Sequence, residues 1–369
     1  MPMFLRQIGF TVVFIGILEG IAEAIAGLSK SYFGQQSDRS GKRLPFVQWG
    51  YALSAISKPM MAAFVYPLWI FFARTLDRFG KGIRTGARDA LLSDEATPAT
   101  KGRVFGFHRS MDTLGAVIGP AIALVYLYYH PGNYKTLFVI TFAPGILVIL
   151  LTRFIKEKKH TASKKPKRNP FNFIYWKESP PEYRKLVAGL LLFALFNSAD
   201  VFLLLRMKES GLNDTEVIGV YILYNIVFAL TAYPMGILAD KLGLKKIFIF
   251  GLLVFAGVYT GFALSNNLLV FIILFVLYGI YQAATDGVSK AWISNIVDRS
   301  ETATAIGTYT GLQSICALLA SSGCGFLWYN FGSLITFLVT AGATLIVIIY
   351  LSFSRGQTAL SRQTPEKNP

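Results

Sequence analysis

The sequence predicts an all-α membrane protein built from two related helical bundles, with about eleven transmembrane helices. Three observations predict this fold class. Of the 369 residues, 53% are hydrophobic and only 15% are charged, a composition that would leave a soluble protein with too much exposed apolar surface. Apolar segments of roughly 20 residues, long enough to span a bilayer, recur along the chain. A short loop motif occurs twice, about 200 residues apart, and indicates an internal repeat.

The apolar segments form two groups on either side of a polar, basic stretch. Five precede this stretch and six follow it, with short turns between most neighbours. The predicted spans lie at about 11–33, 44–66, 68–92, 104–128, 134–155, 184–207, 215–238, 246–265, 268–293, 303–327 and 333–353.

These spans define four predicted domains. They are an N-terminal bundle at 1–155, a cytoplasmic basic linker at 156–182, a C-terminal six-helix bundle at 183–355 and a disordered cytoplasmic tail at 356–369. The linker is too polar to pack against the bundles. We expect it to orient the chain and to attract anionic lipid headgroups.

The loop charges predict the orientation of the chain. If the loop at 34–43 lies inside, the inner loops and the tail hold about 22 lysines and arginines, against about four on the outer side. This asymmetry follows the rule that cytoplasmic loops are the basic ones. We therefore expect a multi-pass protein of the cytoplasmic (inner) membrane of a prokaryote, with its C-terminus in the cytoplasm.

The internal repeat predicts a helix that this sequence lacks. Gly34 to Arg43 reads GQQSDRSGKR and Gly236 to Lys246 reads GILADKLGLKK, and the two share the pattern G-x-x-x-D-[RK]-x-G. Superposing them places the span at 184–207 opposite a segment upstream of Met1. We expect one N-terminal helix to be missing, through a mis-assigned start codon, a truncation or genuine degeneration.

The stretch from Arg74 to Asp94 carries many charges inside a predicted span. Helical spacing predicts one charged stripe, which Arg78 and Asp89 flank. Because a charge near the bilayer centre costs at least a few kcal/mol, the stripe should face protein or water rather than lipid. A salt-bridge network between helices and a wet path for a charged solute are both compatible with it. The stripe consists of Arg74, Asp77, Lys81, Arg84 and Arg88.

Small residues and further charges accompany the stripe. Glycines at 80, 82 and 86 predict a close approach of a neighbouring helix. Glu19 and Glu23 lie near mid-membrane, where a carboxyl group either carries a proton or pairs permanently with Lys58 or an arginine of the stripe. Arg109 and Asp112, three residues apart, can pair with each other or with the helix at 68–92.

Bases outnumber acids in the first five spans, about eight to about five, and unpaired bases are costly there. Arginine binds both oxygens of a carboxylate or phosphate. We therefore expect an anionic or zwitterionic solute.

The repeated loop resembles the signature loops of the major facilitator superfamily. The resemblance rests on GQQSDRSGKR and GILADKLGLKK and extends over nearly the whole chain in span lengths and two-fold repetition. The runs DRFGKGIR, RDALLSD and GFHRSMDTLGAVIGP are most similar to a prokaryotic permease subgroup of that family. The resemblance implies two helical bundles that rock about a central cavity.

The resemblance also implies roles for the loop residues. Asp38 can accept hydrogen bonds at a neighbouring helix N-terminus, where the helix dipole favours an anion. In the family this residue helps to latch the outward-open state, and the alternative is a simple topology anchor. The candidate gating residues are Gly34, Asp38, Arg39, Gly41, Lys42, Arg43, Asp94, Gly236, Asp240 and Gly243.

Candidate site residues in the second half follow from the family's cavity-lining helices. The resemblance implies that the span at 184–207 and the span at 268–293 line the cavity. Asp286 and Lys290 are four residues apart and offer an alternative as a closed pair. The polar residues of these two spans are Asn197, Asp200, Gln282, Asp286 and Lys290.

We therefore expect a secondary active transporter, proton-coupled, that exports a small polar or anionic solute by alternating access. The run Gly115-x-x-x-Gly119-Pro120 partly matches an antiporter signature and favours efflux. The alternatives are an uptake permease and a non-transporting receptor or assembly protein on the same scaffold.

No enzyme motif, cofactor motif or metal-ligand spacing is found in the sequence, so we expect no enzyme, cofactor or metal. The +16 net charge is spread between spans, which argues against a nucleic-acid partner. The expected partners are the lipid bilayer, the solute and protons, and the expected state is a monomer.

Overall fold

A computed structural model describes residues 5, 9, 12–157 and 174–353. Its secondary structure is helical, and no strand occurs in these residues. A short 3-10 helix, Arg299–Glu301, lies before the last helix. The α-helices are α1 Val12–Ser40, α2 Leu44–Ala63, α3 Pro67–Asp94, α4 Lys101–Tyr129, α5 Tyr134–Ile140, α6 Phe142–Thr152, α7 Ile174–Glu178, α8 Pro181–Ala194, α9 Val201–Glu209, α10 Asp214–Leu242, α11 Leu244–Leu264, α12 Leu268–Ile296 and α13 Thr302–Phe353.

The predicted spans coincide with these helices, and the all-α membrane fold class is confirmed. Two spans are interrupted: 134–155 contains α5 and α6, and 184–207 contains α8 and α9. Within the described residues, six helical segments, one of which joins α5 and α6, are long and apolar enough to cross a membrane, with 18-residue windows of mean hydropathy from 1.5 to 2.5. The larger number, about eleven crossings, stays a prediction.

The helix α13 covers two predicted spans. Its backbone departs from helical geometry at Gly332, where φ is 77°. A positive φ is accessible to glycine because glycine has no Cβ atom. The break separates the spans predicted at 303–327 and 333–353.

The described chain divides into two compact units. Unit 1 contains the residues up to Asp94, then Gly115–Glu178 and Arg299–Cys316. Unit 2 contains Glu95–Leu114, Ser179–Asp298 and the residues from Ala317 onward. The division therefore passes through α4 and α13. The domain borders predicted at 155 and 183 stay a prediction.

Unit 1 is built on close backbone contacts among α1, α2 and α3. A Cβ atom on Gly80 would lie 2.6 Å from the carbonyl oxygen of Gly50, and one on Gly82 would lie 2.9 Å from that of Ala26. A Cβ atom on Gly86 would lie 3.1 Å from the carbonyl oxygen of Ala303. The close helix approach predicted from the glycines of α3 is therefore confirmed. It brings the charged α3 directly against its neighbours.

Large apolar side chains are exposed along the helices. Leu68, Leu124, Tyr128 and Phe154 are all mostly exposed, although each belongs to an apolar segment. Lipid accounts for this exposure, because hydrocarbon tails solvate such side chains and water does not. The pattern fits a multi-pass membrane protein.

The contact between Gly34 and α13 generates a prediction. A Cβ atom on Gly34 would overlap the carbonyl oxygen of Ala303. Gly34→Ala should therefore reduce the free energy of unfolding by roughly 1–3 kcal/mol through overpacking. The thermal midpoint of the purified protein should fall accordingly. The control is Gly257→Ala in α11, where a Cβ atom would meet nothing within 4 Å. Equal midpoints for the two variants in the same detergent would contradict the close approach.

Candidate functional site

In unit 1 the carboxylate of Asp38 caps the N-terminus of α13. It accepts hydrogen bonds from the backbone N–H groups of Ala303 at 3.3 Å and Thr304 at 2.7 Å, and from the Thr304 hydroxyl at 2.8 Å. The first N–H groups of a helix have no intrahelical partner, and the dipole makes that end positive. Asp38 therefore makes the kind of contact expected from the loop sequence, and the structure identifies α13 as its partner.

A buried arginine neutralises Asp38. The Arg43 guanidinium lies 3.2 Å from the Asp38 carboxylate, forms an ion pair with Asp94, and donates to the carbonyl oxygen of Arg299 at 2.5 Å. One side chain thus connects the ends of α1 and α3 to the segment before α13. Asp38 lies in the last turn of α1, beyond the span predicted at 11–33. Burial raises the pKa of its carboxyl to about 6, against the lowering effects of Arg43 and Thr304.

Glu157 joins the same cluster and was missed by the sequence analysis. Its carboxylate accepts from the backbone N–H groups of Arg43 and, at 3.1 Å, Leu44. These groups belong to the N-terminus of α2, where Arg43 occupies the cap position without a side-chain cap. The missing Ser, Thr, Asp or Asn at that position was the available signal, because such an end needs an acceptor from elsewhere.

Unit 2 contains the contact that corresponds, through the internal repeat, to the Asp38 contact of unit 1. The carboxylate of Asp240 accepts from the backbone N–H groups of Gly102 at 2.7 Å and Arg103 at 2.8 Å, at the N-terminus of α4. Beside it, the Lys101 ammonium donates to the carbonyl oxygen of Ser294 at 2.6 Å. Lys245, the repeat counterpart of Arg43, instead donates to the carbonyl oxygen of Ser352 at 2.9 Å. Asp240 therefore lacks the buried arginine that accompanies Asp38.

The glycines of the two repeated segments are required for different structural reasons. Gly41 and Gly243 have φ values of 63° and 103°, which favour glycine. A Cβ atom on Gly236 would overlap the backbone of Gly102. Of the remaining gating candidates, Arg39 is half-buried and Lys42 is exposed.

The charged stripe of α3 packs against α2. Asp77 lies 3.0 Å from the Lys58 ammonium and 3.2 Å from the Arg74 guanidinium. Arg84 donates to the Ser54 hydroxyl at 2.7 Å and lies over the Tyr51 ring, 4.6 Å from its centroid. These contacts form a network between two helices.

The remaining charged residues of the stripe and its flanks lie on the same helix, α3. Arg78 acts electrostatically on Asp77, and Arg88 pairs with Asp89 at 3.1 Å. Lys81 is half-buried on the same helix. The Lys58 side chain is 29% exposed, so the network is not fully buried.

In unit 2, Arg109 connects α4 with α12. Its guanidinium lies 2.9 Å from the Asp112 carboxylate and 2.5 Å from that of Asp286. The first pair was among the alternatives that the sequence offered. The second was not, because the sequence suggested Lys290 as the partner of Asp286.

A cluster of buried tyrosines surrounds Asp200, between α8 and α9. The Tyr278 hydroxyl donates to Asp200 Oδ1 at 2.8 Å, and Asn197 Nδ2 donates to the Tyr281 hydroxyl at 3.1 Å. Tyr224 of α10 and Tyr259 of α11 are also buried and complete the cluster. Gln282 contacts Tyr224. No sequence signal separated these two tyrosines from the other aromatic residues of apolar helices.

Some predicted features lie outside the described part of the molecule. Glu19 and Glu23 belong to α1, but their side chains are not among those described. Most of the basic linker, 158–173, and the tail predicted at 356–369 are likewise outside the described residues.

Comparisons with known proteins agree with this architecture. A family model for the Major Facilitator Superfamily matches residues 1–222 and, a second time, residues 186–369. An uncharacterised MFS-type transporter of Methanocaldococcus jannaschii is 33% identical over 89% of this chain and 83% of its own length. The multidrug resistance protein MdtG of Klebsiella pneumoniae is 22% identical over 100% of this chain and 91% of its own.

The fold is similar to a solved structure as well. The crystal structure of the human organic anion transporter MFSD10 has a TM-score of 0.77 at 15% identity, with 95% of this chain and 88% of that chain covered.

The buried arginine generates a prediction. Arg43→Ala leaves the Asp38 and Asp94 carboxylates buried without their shared cation, so the thermal midpoint should fall by the equivalent of about 3–5 kcal/mol. Adding Asp94→Asn to that variant should recover part of the loss, because one stranded charge is removed. Lys42→Ala, in the exposed part of the same loop, is the control and should change little. An unchanged midpoint for Arg43→Ala would show that the cluster does not hold these helix ends.

Proposed function

The chain belongs to the Major Facilitator Superfamily, and from this premise we propose a secondary active transporter that moves a small polar or anionic solute by alternating access. Its proposed location is the cytoplasmic membrane, with the basic loops and the C-terminus on the cytoplasmic side. Energy comes from an ion gradient, for which protons are the proposed source.

The carboxylate contacts of Asp38 and Asp240 carry this proposal. Each ties a loop between two helices of one repeat to the N-terminus of a helix from the other repeat. The repeats therefore share polar contacts at helix ends. Such contacts suit a latch, because they can be exchanged for water without disturbing an apolar core. On this proposal they close the cytoplasmic end in the state described and release when that end opens.

The charged network of α2 and α3 supports the solute class. Lys58, Arg74 and Arg78 all act on the carboxylate of Asp77, so this region of the network is rich in basic groups. Arg84 donates to the Ser54 hydroxyl of α2, and its guanidinium has the planar geometry that binds carboxylates and phosphates. The similarity to the organic anion transporter MFSD10 agrees with this class.

Proton coupling and efflux have separate support. Glu19 and Glu23 are the proposed proton carriers, because a carboxyl group near mid-membrane readily binds a proton. The antiporter-like run at Gly115 to Pro120 and the similarity to MdtG support efflux.

Transport in proteoliposomes tests the proposal. The wild-type protein should move at least one member of a radiolabelled panel of small carboxylates, amino acids and phosphate esters when a pH gradient is imposed. Asp77→Asn and Arg84→Gln should each reduce this flux to background at equal insertion, because they unbalance the network that meets the solute. Glu182→Gln, at the exposed start of α8, is the control and should transport normally.

Two outcomes would refute the proposal. If the wild-type protein moved no panel member under any pH gradient, the proposed function would fail. If both network variants transported at the wild-type rate, the network would be structural only.

A further inference from the structure

The break between α8 and α9 creates an environment that favours positive charge. The segment 195–200 separates the two helices and contains Asn197, Ser198 and Asp200. The C-terminal end of α8 carries the negative end of the helix dipole, although the carbonyl oxygens of Leu191 and Phe193 accept hydrogen bonds from backbone N–H groups of residues 195–197. Interrupted membrane helices bind coupling cations through such carbonyl groups.

Asp200 lies in this break without a basic partner. Its carboxyl interacts with the hydroxyls of Tyr278 and Tyr224, and no ion pair to it occurs within residues 12–157 and 174–353. The base that acts on this cluster is Arg109, which Asp112 and Asp286 already neutralise. Asp200 is half-buried, and a carboxylate that has lost part of its water is stabilised by a bound cation or by a proton.

Three further oxygen atoms next to Asp200 have unused hydrogen-bonding capacity. Asn197 Oδ1 is buried and makes no hydrogen bond within the described chain, and the buried hydroxyls of Ser198 and Tyr259 interact with each other. Ser198 is 4% exposed and Tyr259 is 0% exposed. The two hydroxyls lie near each other, and Tyr259 interacts electrostatically with Asp200.

These groups form one oxygen-rich set. The amide nitrogen of Asn197 is already engaged by Tyr281, which leaves its oxygen as the free end. Buried polar atoms in native proteins are nearly always satisfied, so an unsatisfied group beside a lone carboxylate points to a missing partner. Carboxylate, amide and hydroxyl oxygens are all able to act as ligands of a cation.

We propose that the α8–α9 break is a binding site for a small monovalent cation, with Asp200 as its anionic ligand and Asn197, Ser198 and Tyr259 as neutral oxygen ligands. The cation is either an alkali ion or a protonated amine. The faces of the neighbouring tyrosine rings suit both, since ring faces attract cations. The site deepens the proposed function, because its occupant would be a coupling ion or the positive group of a solute. Binding itself does not depend on transport.

Thermal stability of the purified full-length protein tests the site. The midpoint is measured at pH 8 against NaCl, KCl and methylammonium chloride, with N-methyl-D-glucamine chloride keeping the ionic strength constant. One of the three cations should raise the midpoint saturably. An effect of Na⁺ or K⁺ assigns an alkali ion, and an effect of methylammonium alone assigns the amine of a solute.

Matched variants locate the effect. Asp200→Asn should abolish the cation-dependent shift. Glu209→Gln, which removes a carboxylate from the same helix α9 where it pairs with Arg206, should keep it. Tyr259→Phe removes one neutral oxygen and keeps the charge, so it should raise the half-saturating concentration about tenfold. That variant keeps the test informative if Asp200→Asn does not fold.

Three results would overturn the site. In the first, none of the three cations raises the thermal midpoint above its value in N-methyl-D-glucamine chloride. In the second, the cation-dependent rise persists in Asp200→Asn, and in the third, the midpoint depends on pH through Asp200 but on no cation. The last result would make Asp200 a proton carrier. A failed cation shift with intact transport refutes the site alone, whereas a cation shift without transport refutes the proposed function alone.

Discussion

A carboxylate that accepts hydrogen bonds from the free N–H groups of a helix N-terminus is the contact on which the structure depends. Asp38 makes it with α13, and Asp240 makes it with α4. A charge at a helix terminus contributes only about 0.3–2 kcal/mol, which biases a conformation without fixing it. The glycines at 34 and 236 serve the same contacts, because they let the backbones meet closely enough for the carboxylates to reach. Reversible helix-end contacts of this strength are what alternating access requires.

The two repeats support this contact unequally. Asp38 shares the buried Arg43 with Asp94, whereas the position equivalent to Arg43 in the second repeat is Lys245, which contacts the backbone elsewhere. Breaking a buried ion pair costs about 3–5 kcal/mol, more than the helix-terminus contact alone. The Asp38 contact is therefore the stronger of the two, and Glu157 ties the start of the linker to it.

The polar interiors of the units handle buried charge in different ways. In unit 1 the Asp77 carboxylate of α3 pairs with Lys58 of α2 and with Arg74 of its own helix. In unit 2 Asp200 is compensated by tyrosine hydroxyls rather than by a base. The first arrangement surrounds an acid with bases, whereas the second places an acid among hydroxyl groups. This difference underlies both the proposed anionic solute and the proposed cation site.

Sequence reasoning predicted the spans, the repeat and the type of contact that Asp38 makes, because these follow from local composition and spacing. It did not predict that α13 is the partner, since tertiary packing decides which helix end lies near. Arg109 and Asp286 were not paired for the same reason. Tyr224 and Tyr259 were missed because a functional aromatic residue in an apolar helix looks like a core residue.

Cross-linking across the α1–α13 contact tests the central claim most directly. The hydroxyls of Ser31 and Thr308 lie 3.4 Å apart in unit 1, beside the Asp38 contact. The variant carries Ser31→Cys and Thr308→Cys with Cys316→Ala, and a Cys316→Ala parent treated with the same oxidant is the control. If the contact must open during each cycle, the oxidised variant should stop transporting and should recover on reduction. Transport at the parent rate by fully cross-linked protein would contradict the account.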